Sequence, residues 1–474
     1  MSKLRLGTWG FGPHPWVSVE RTRHFYARAL ADRFTLVELD REDQRAGAAE
    51  VDAVLSFASD RWHAEPRPGD TPIVLAMHGG PVVDHADLRT LLPKLRTSDT
   101  LLVNCQADLA IIEALCEVPP NIVVLPLPAD LERFAPWEPG PCRLEFGLDP
   151  EDLVLGFVAR LVPQKNLHGY LRVVAELRRR LAPRPVKALV IGNFAAAYPV
   201  LDYGCGAYVE EIKALINELE LADALAYFSA RLDDDQLAAA YGAMSVLVHP
   251  STAIDENFGY VAIEAMASGV PVVAAAYGGL ADSVIPGQTG ALLPTWASGS
   301  GIRMDLDGAV EAIVELLEDP ERHEQLAAGA VEHVRASYAE PRCAAILSEA
   351  VTAAARRGGG GEPLRVRPPA AILDAGLLPA SAPPYAAFAE PIACYVSHPL
   401  PRLDPARRLR WAAPLRRDPA GDLRLDDPAW PALVRLDPRD EALLSCCIEP
   451  TPAASLATGA IYAPRHMSPF SSTM

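Results

Sequence analysis

Short apolar runs alternate with longer stretches whose apolar positions recur at helical spacing. The runs at 3–8, 34–39, 53–57, 72–77, 100–104 and 121–125 read as strands, with a helix over 17–33 after the first. A second series follows: strand 153–159, helix 165–181, strand 186–191, helix 207–219, strand 224–228 and helix 234–242. It continues through strand Ser245-Val246-Leu247-Val248, a loop broken by His249-Pro250-Ser251, a helix, and strand Val270-Pro271-Val272-Val273. Three helix-like segments between Asp305 and Arg357 end at Gly358-Gly359-Gly360-Gly361, which reads as a flexible break. Strand–helix alternation is the pattern of parallel sheets covered by helices. It predicts two α/β domains, 1–130 and 131–340, with a Pro-rich linker at 126–150. A terminal helix and glycine linker, 341–361, then lead to a Pro-dense extension, 362–474, expected to be irregular with some short strands.

Length agrees, since 474 residues exceed what one core organises. The formal net charge of −18 argues against a general nucleic-acid binder, whose affinity comes from neutralised phosphates. No apolar run is long enough to span a bilayer, and the start lacks a secretory h-region. The 8 cysteines are scattered without a Cys-x-x-Cys pair, which suits reduced thiols and a cytoplasmic protein better than a disulfide framework or zinc site. Locally the extension turns basic, with Arg402, Arg407, Arg408, Arg410, Arg416 and Arg417 around Trp411. The plain reading is a solvated arm against an acidic body. A phosphate-bearing acceptor or an anionic membrane surface is the sharper one.

Chemistry concentrates in two places. In Asp255-Glu256-Asn257-Phe258-Gly259-Tyr260-Val261-Ala262-Ile263-Glu264, Glu256 sits at a loop tip and Glu264 on the following helix. A carboxylate in a first helical turn complements the macrodipole, so either glutamate has a purely structural reading. Upstream, Arg160 ends a strand, and Lys165 lies in the loop before an amphipathic helix. Two cations at the C-terminal end of a strand beside a helix N-terminus can hold a diphosphate. Carboxylates nearby accept hydrogen bonds from sugar hydroxyls.

Together these segments resemble the retaining glycosyltransferases of family 4, which have the GT-B fold: two Rossmann-like parallel-sheet domains facing across a cleft. The family's Glu–seven residues–Glu motif is matched by Glu256 and Glu264, and its strand-end Arg and following Lys by Arg160 and Lys165. Its small-residue segment is matched by Ser268-Gly269-Val270-Pro271-Val272-Val273, Gly278-Gly279 and Gly287-Gln288-Thr289-Gly290. The resemblance is strong over 151–295 and looser before, and it leaves the extension uncovered. It implies a nucleotide-diphosphate sugar, UDP- or GDP-linked, bound mainly by the second domain, and an acceptor that the sequence does not name. It also implies that Arg160, Lys165, Glu256 and His78 serve the reacting groups. Glu264, Asn257, Phe258, Gly259, Gly278 and Gly279 would hold the donor, with Glu264 on its ribose. The departing diphosphate would accept the acceptor's proton, with no metal and no other cofactor. A sugar phosphorylase, a nucleotide-sugar epimerase or a non-catalytic sugar-nucleotide-binding subunit could share much of this scaffold.

Gly10-Phe11-Gly12 after the first strand fails the dinucleotide fingerprint, because Pro15 stands at the third glycine position. It remains, with Asp108, a candidate acceptor or phosphate loop. His78 ends a strand, where α/β sites form, and by resemblance reaches the donor sugar. Asp282 stands near where the family usually has Glu. Asp233-Asp234-Asp235 contains an Asp-x-Asp but directly precedes a helical segment, so capping explains it better than metal binding.

Overall fold

A computed structural model of the chain describes residues 3–14, 17–39, 50–57, 70–83, 85–195, 205–229, 232–298, 301–367 and 389–396. It also describes the backbone of five short strands beyond them. Pro15, Arg402, Arg407, Arg410, Trp411 and the adjacent Cys446 and Cys447 lie outside the described residues.

Two six-stranded sheets form the framework, each wholly parallel. The first comprises β1 (Leu4–Trp9), β2 (Phe34–Glu38), β3 (Ala53–Ser56), β4 (Ile73–Ala76), β5 (Thr100–Val103) and β6 (Asn121–Val124) in the order β2-β1-β3-β4-β5-β6. The second comprises β7 (Leu153–Val158), β8 (Val186–Ile191), β9 (Leu225–Phe228), β10 (Val246–His249), β11 (Val272–Ala275) and β12 (Gly290–Leu293) in the order β12-β11-β10-β7-β8-β9. Every residue of β3, β4, β5, β10 and β11 is buried, which explains their continuous apolar runs: helices cover both faces.

The first domain carries α1 (Val17–Ala31), α2 (Gly80–Val83), α3 (His85–Leu91) and α4 (Gln106–Leu115). The second carries α5 (Pro139–Glu145), α6 (Leu167–Arg180), α7 (Cys205–Glu218), α8 (Asp234–Ala243), α9 (Tyr260–Ala267), α10 (Leu280–Ser283), α11 (Leu306–Glu318) and α12 (Pro320–Ser337). On α6, Leu167, Tyr170, Leu171, Val174 and Leu177 form one buried stripe, and three arginines in the last turn complement the helix dipole. The next helix, α13 (Glu340–Arg357), returns to the first domain. Glu340 there pairs in a fork with Arg28 of α1, both bonds 2.9 Å, and Arg357 donates to the Ser98 carbonyl.

Three expectations change. The Pro-rich 126–150 stretch is more than a linker, because it contains α5, whose start exploits proline at its first turn. Arg143 of α5 donates to the Ala243 carbonyl and to Ser245 Oγ, both at 3.1 Å, docking that helix on the second domain. Second, the four glycines at 358–361 are not a loose break. Arg96 donates to the Gly359 carbonyl, and the chain after them bonds to the first domain through Leu364 N–Leu95 O and Arg367 N–Leu115 O. Third, the hairpin β13 (Thr295–Ser298) and β14 (Gly301–Met304) had not been anticipated. In the extension, α14 (Ala389–Tyr395) is followed by short antiparallel strands: β15 (Arg408–Leu409) with β19 (Thr451–Pro452), and β16 (Leu415–Arg417), β17 (Leu423–Leu425) and β18 (Ala432–Val434) together. No helix among the described residues is long and apolar enough to cross a membrane.

Candidate functional site

In open parallel sheets, ligands bind beyond the carboxyl ends of the strands, where the strand order reverses. In the second sheet that point lies between β7 and β10, which pair directly. The loops leaving those two strands carry Arg160, Lys165 and Glu256. A one-turn 3-10 helix, Pro163–Lys165, follows β7, and Asn166 takes a left-handed conformation (φ 63°). Its side chain accepts from Gly169 N and so caps α6. Lys165 therefore precedes the helix rather than opening it. Its ammonium donates to Glu256 Oε2 at 2.6 Å, in a pair only 14% and 6% exposed. His249, the last residue of β10, places Nε2 3.4 Å from the same oxygen. Burial pushes the Glu256 carboxyl up, but Lys165 and His249 outweigh it and hold the group well below the usual carboxylate range. Arg160 lies nearby and more open, 3.9 Å from Asp255.

Glu264 meets the other domain. Its Oε1 accepts from Arg21 of α1 at 2.7 Å and its Oε2 from Tyr241 at 2.9 Å. Burial raises this carboxyl above its ordinary value, and Arg21 and Tyr241 offset only part of that. Asn257 also spans the seam, donating to the His78 carbonyl at 3.1 Å and to Asn104 Oδ1 at 3.3 Å. Phe258 and Gly259 take structural places instead. The Phe258 ring packs edge-on against Tyr260 and Tyr338, and Gly259 (φ +79°) makes the left-handed turn that starts α9.

The His78 side chain does not point freely into a cleft. Its ring sits between Phe57 (4.1 Å) and Tyr26 (5.3 Å). Both ring nitrogens are buried without a hydrogen-bond partner among the described residues. Burial, with His14 adding to it, pushes the imidazole down to about 3, so the ring is neutral. The Gly278 and Gly279 amides are likewise taken by the chain itself, by the Tyr395 and Glu256 carbonyls. Asp282 accepts from Gln106 N at 2.6 Å, joining α10 to the start of α4. Gly10 turns with φ 64° after β1, and nothing crowds Gly12. Beside that loop, His14 N meets Glu20, whose carboxyl is held down to about 2 by Arg23 and then by that amide.

Asp233 caps α8 in a reciprocal box with Gln236, and Asp234 pairs with Arg133 at 2.7 Å. No three His, Cys, Asp or Glu side chains among the described residues gather as a metal site. The sequence had not pointed to Arg21, Tyr241, His249 or Tyr395. His249 carried a usable signal, its position at the carboxyl end of a central strand.

Asp108 is buried at the seam, accepting from Asn104 N at 3.2 Å and from the Tyr395 hydroxyl. Burial raises its carboxyl to about 7, with the Tyr395 and Asn104 hydrogen bonds opposing. The folded protein therefore holds a proton between the ordinary value of 3.8 and about 7 that the unfolded chain releases. The group's favourable contribution is complete below the ordinary value and declines as pH rises to neutrality, by up to about 4 kcal/mol at 1.36 kcal/mol per unit. Urea unfolding of Asp108→Asn should lack this decline between pH 4.5 and 7.5. A slope equal to wild type would assign the titration elsewhere.

Such a pair of facing parallel-sheet domains, with cations and carboxylates at the switch point of the second, defines the GT-B fold. Residues 143–333 match the family model of the glycosyl transferases group 1. Among curated relatives, the D-inositol 3-phosphate glycosyltransferase of Segniliparus rotundus is 34% identical over 269 residues, covering 56% of this chain and 55% of that protein. Its counterpart in Kribbella flavida is 32% identical over 295 residues, covering 59% and 63%. The chain spans about half the length of the first curated relatives it matches. Among solved structures, sucrose-phosphate synthase from Thermosynechococcus elongatus superposes with a TM-score of 0.57 at 20% identity, over 73% of this chain and 98% of that one. Anabaena HepE in complex with UDP gives 0.59 at 19% identity, over 74% and 100%.

Proposed function

We propose that the chain is a metal-independent, retaining glycosyltransferase of the cytoplasm that moves a sugar from a nucleotide-diphosphate donor, UDP-linked first of all, to a hydroxylated acceptor. The observation that carries this reading is the buried Lys165–Glu256 pair, with Arg160 beside it, at the switch point between β7 and β10. An ammonium, a guanidinium and a carboxylate gathered there suit a ligand that is anionic at one end and polyhydroxylated at the other. The names of the curated relatives support glycosyl transfer, and a neighbour in fold that holds UDP-glucose supports the donor class.

In this reading the donor diphosphate draws Lys165 and Arg160 to itself, and Glu256 turns its oxygens to the sugar hydroxyls. Negative charge builds on the leaving oxygen as the glycosidic bond breaks. Once drawn to the diphosphate, the two cations stabilise that charge as it develops. The acceptor attacks the face the diphosphate leaves, and the diphosphate takes its proton, so no protein nucleophile is needed. Glu264 accepts from the ribose hydroxyls. His78, neutral and with unpartnered nitrogens just beyond β4, would reach the donor sugar only by turning its ring out from between Phe57 and Tyr26, a move that would relieve a costly burial.

Thermal-shift screening with UDP-, GDP-, ADP- and TDP-glucose in excess EDTA tests this. A ligand at a hundred times its dissociation constant stabilises by about 2.7 kcal/mol. One of the four should do so, and transfer should persist under the same chelation. Silence from all four, or activity lost in EDTA and restored by Mg²⁺ or Mn²⁺, would overturn the reading.

A further inference from the structure

The extension returns to the seam between the domains at one described place. There Tyr395, the last residue of α14, is 1% exposed. Its ring lies edge-on to Tyr277 with centroids 5.3 Å apart, and its hydroxyl donates to Asp108 of the first domain. The Tyr395 carbonyl accepts from Gly278 N of the second domain at 2.9 Å, and Val396 bridges to Tyr277. Two glycines make room for it. A Cβ at Gly80 (φ +74°) would lie 2.9 Å from the Tyr395 hydroxyl, and one at Gly278 (φ +51°) 2.7 Å from its ring. Any side chain at either position would close the slot that the tyrosine fills.

That slot adjoins the reacting groups. Gly278 packs against the Glu256 carbonyl, Gly80 against Asn257 and Asp108, and Asn257 directly follows Glu256. Its polar fittings are a buried carboxylate and a backbone N–H, the groups that accept from a ligand hydroxyl and donate to a ligand oxygen. Tyr395 meets each with its counterpart, a hydroxyl and a carbonyl. It comes from outside the two sheet domains, from a segment that neither sheet needs.

We propose that the slot formed by Gly80, Asp108, Tyr277 and Gly278 is a hydroxyl-binding subsite of the substrate cleft, and that residues 392–396 are its built-in competitor, displaced when the nucleotide sugar binds. The inference rests on the glycosyltransferase reading above. Because the strap is tethered, it competes at a fixed effective concentration. If it is seated for 90–99% of the time, the apparent ligand affinity is reduced by about 10–100-fold.

The test uses the full-length protein titrated calorimetrically with UDP-, GDP-, ADP- and TDP-glucose, with amide hydrogen exchange followed across 389–396. The sugar nucleotide that binds should speed exchange in that segment of the wild type. Tyr395→Ala should bind it about tenfold or more tightly. Tyr395→Phe, which keeps the packing and loses only the hydroxyl bond to Asp108, should bind it a few-fold more tightly and guards against a misfolded alanine variant. Asp108→Asn keeps an acceptor oxygen for the Tyr395 hydroxyl and for a ligand hydroxyl alike, and should not tighten binding. Wild-type binding with no change in exchange, equal or weaker binding by a folded Tyr395→Phe, or tightening by Asp108→Asn equal to that of Tyr395→Phe would each overturn the subsite and its competitor while leaving the functional reading intact. Failure of wild type and all variants to bind any of the four would overturn the functional reading itself, and this inference with it.

Discussion

Lys165→Ala is expected to lose turnover by about 10²–10³, the scale for one preorganised contact to developing charge, and stability by about 3–5 kcal/mol, the scale for orphaning a buried charge. The second effect follows from burial. A lysine in a loop at a cleft wall should be removable without harm to the fold, but this one neutralises Glu256 inside the protein. With Lys165 gone, burial dominates and the Glu256 carboxyl rises, leaving His249 as its nearby cation only if that ring is protonated. Arg160→Ala should separate the two effects. Its side chain is 38% exposed and stands 3.9 Å from Asp255, so turnover should fall on the same scale with little change in stability. The double variant Lys165→Met with Glu256→Gln replaces the ion pair by groups that need no counter-charge. It should recover most of the stability and none of the turnover. Measured by chemical denaturation and steady-state kinetics, turnover within about twofold of wild type for Lys165→Ala, far short of that scale, would remove the diphosphate from this place.

Much of this arrangement was legible in the sequence because strand–helix alternation leaves local marks. Eleven of the strands lie within a residue or two of their apolar runs, and Glu256 and Glu264 fall as read, one in the loop before α9 and one on that helix. What escaped has a common cause: it depends on chain segments far apart in sequence. Arg21 looks like an ordinary solvent-side residue of an amphipathic helix, yet its partner is 243 residues away. Tyr395 sits in a region without strand–helix alternation, and its partner Asp108 is 287 residues upstream. The ring of His78 satisfied the rule for strand ends, but Phe57 and Tyr26 come from other elements and decide where it packs. Proline density misled in a different way. It marks linkers, but it also suits the first turn of a helix, and α5 uses it so.

Glu264→Gln should weaken binding of UDP alone by about tenfold or more, while turnover at saturation changes less. A ribose contact is made before and during reaction, so its loss is felt in binding rather than in the chemical step. Hydrogen bonds to a charged group contribute about 1.5–3 kcal/mol, which sets that scale. In the proposed reading the carboxylate serves the ribose without abandoning its present partners. Arg21 occupies one oxygen and Tyr241 the other, and a carboxylate has about four acceptor positions in all. Arg21→Ala supplies the contrast. Burial already lifts the Glu264 carboxyl and Arg21 lowers it, so removing the arginine lifts it further. As pH falls toward that raised value, the carboxyl gains a proton and loses acceptor capacity. UDP should therefore bind Arg21→Ala more weakly at pH 6 than at pH 8, with a steeper change than in wild type. Calorimetric titration at both pH values reads all three proteins. If Glu264→Gln binds UDP within about twofold of wild type, well below the tenfold of a lost 1.4 kcal/mol, while its unfolding midpoint falls, Glu264 is a latch between α1 and α9 and the ribose lies elsewhere.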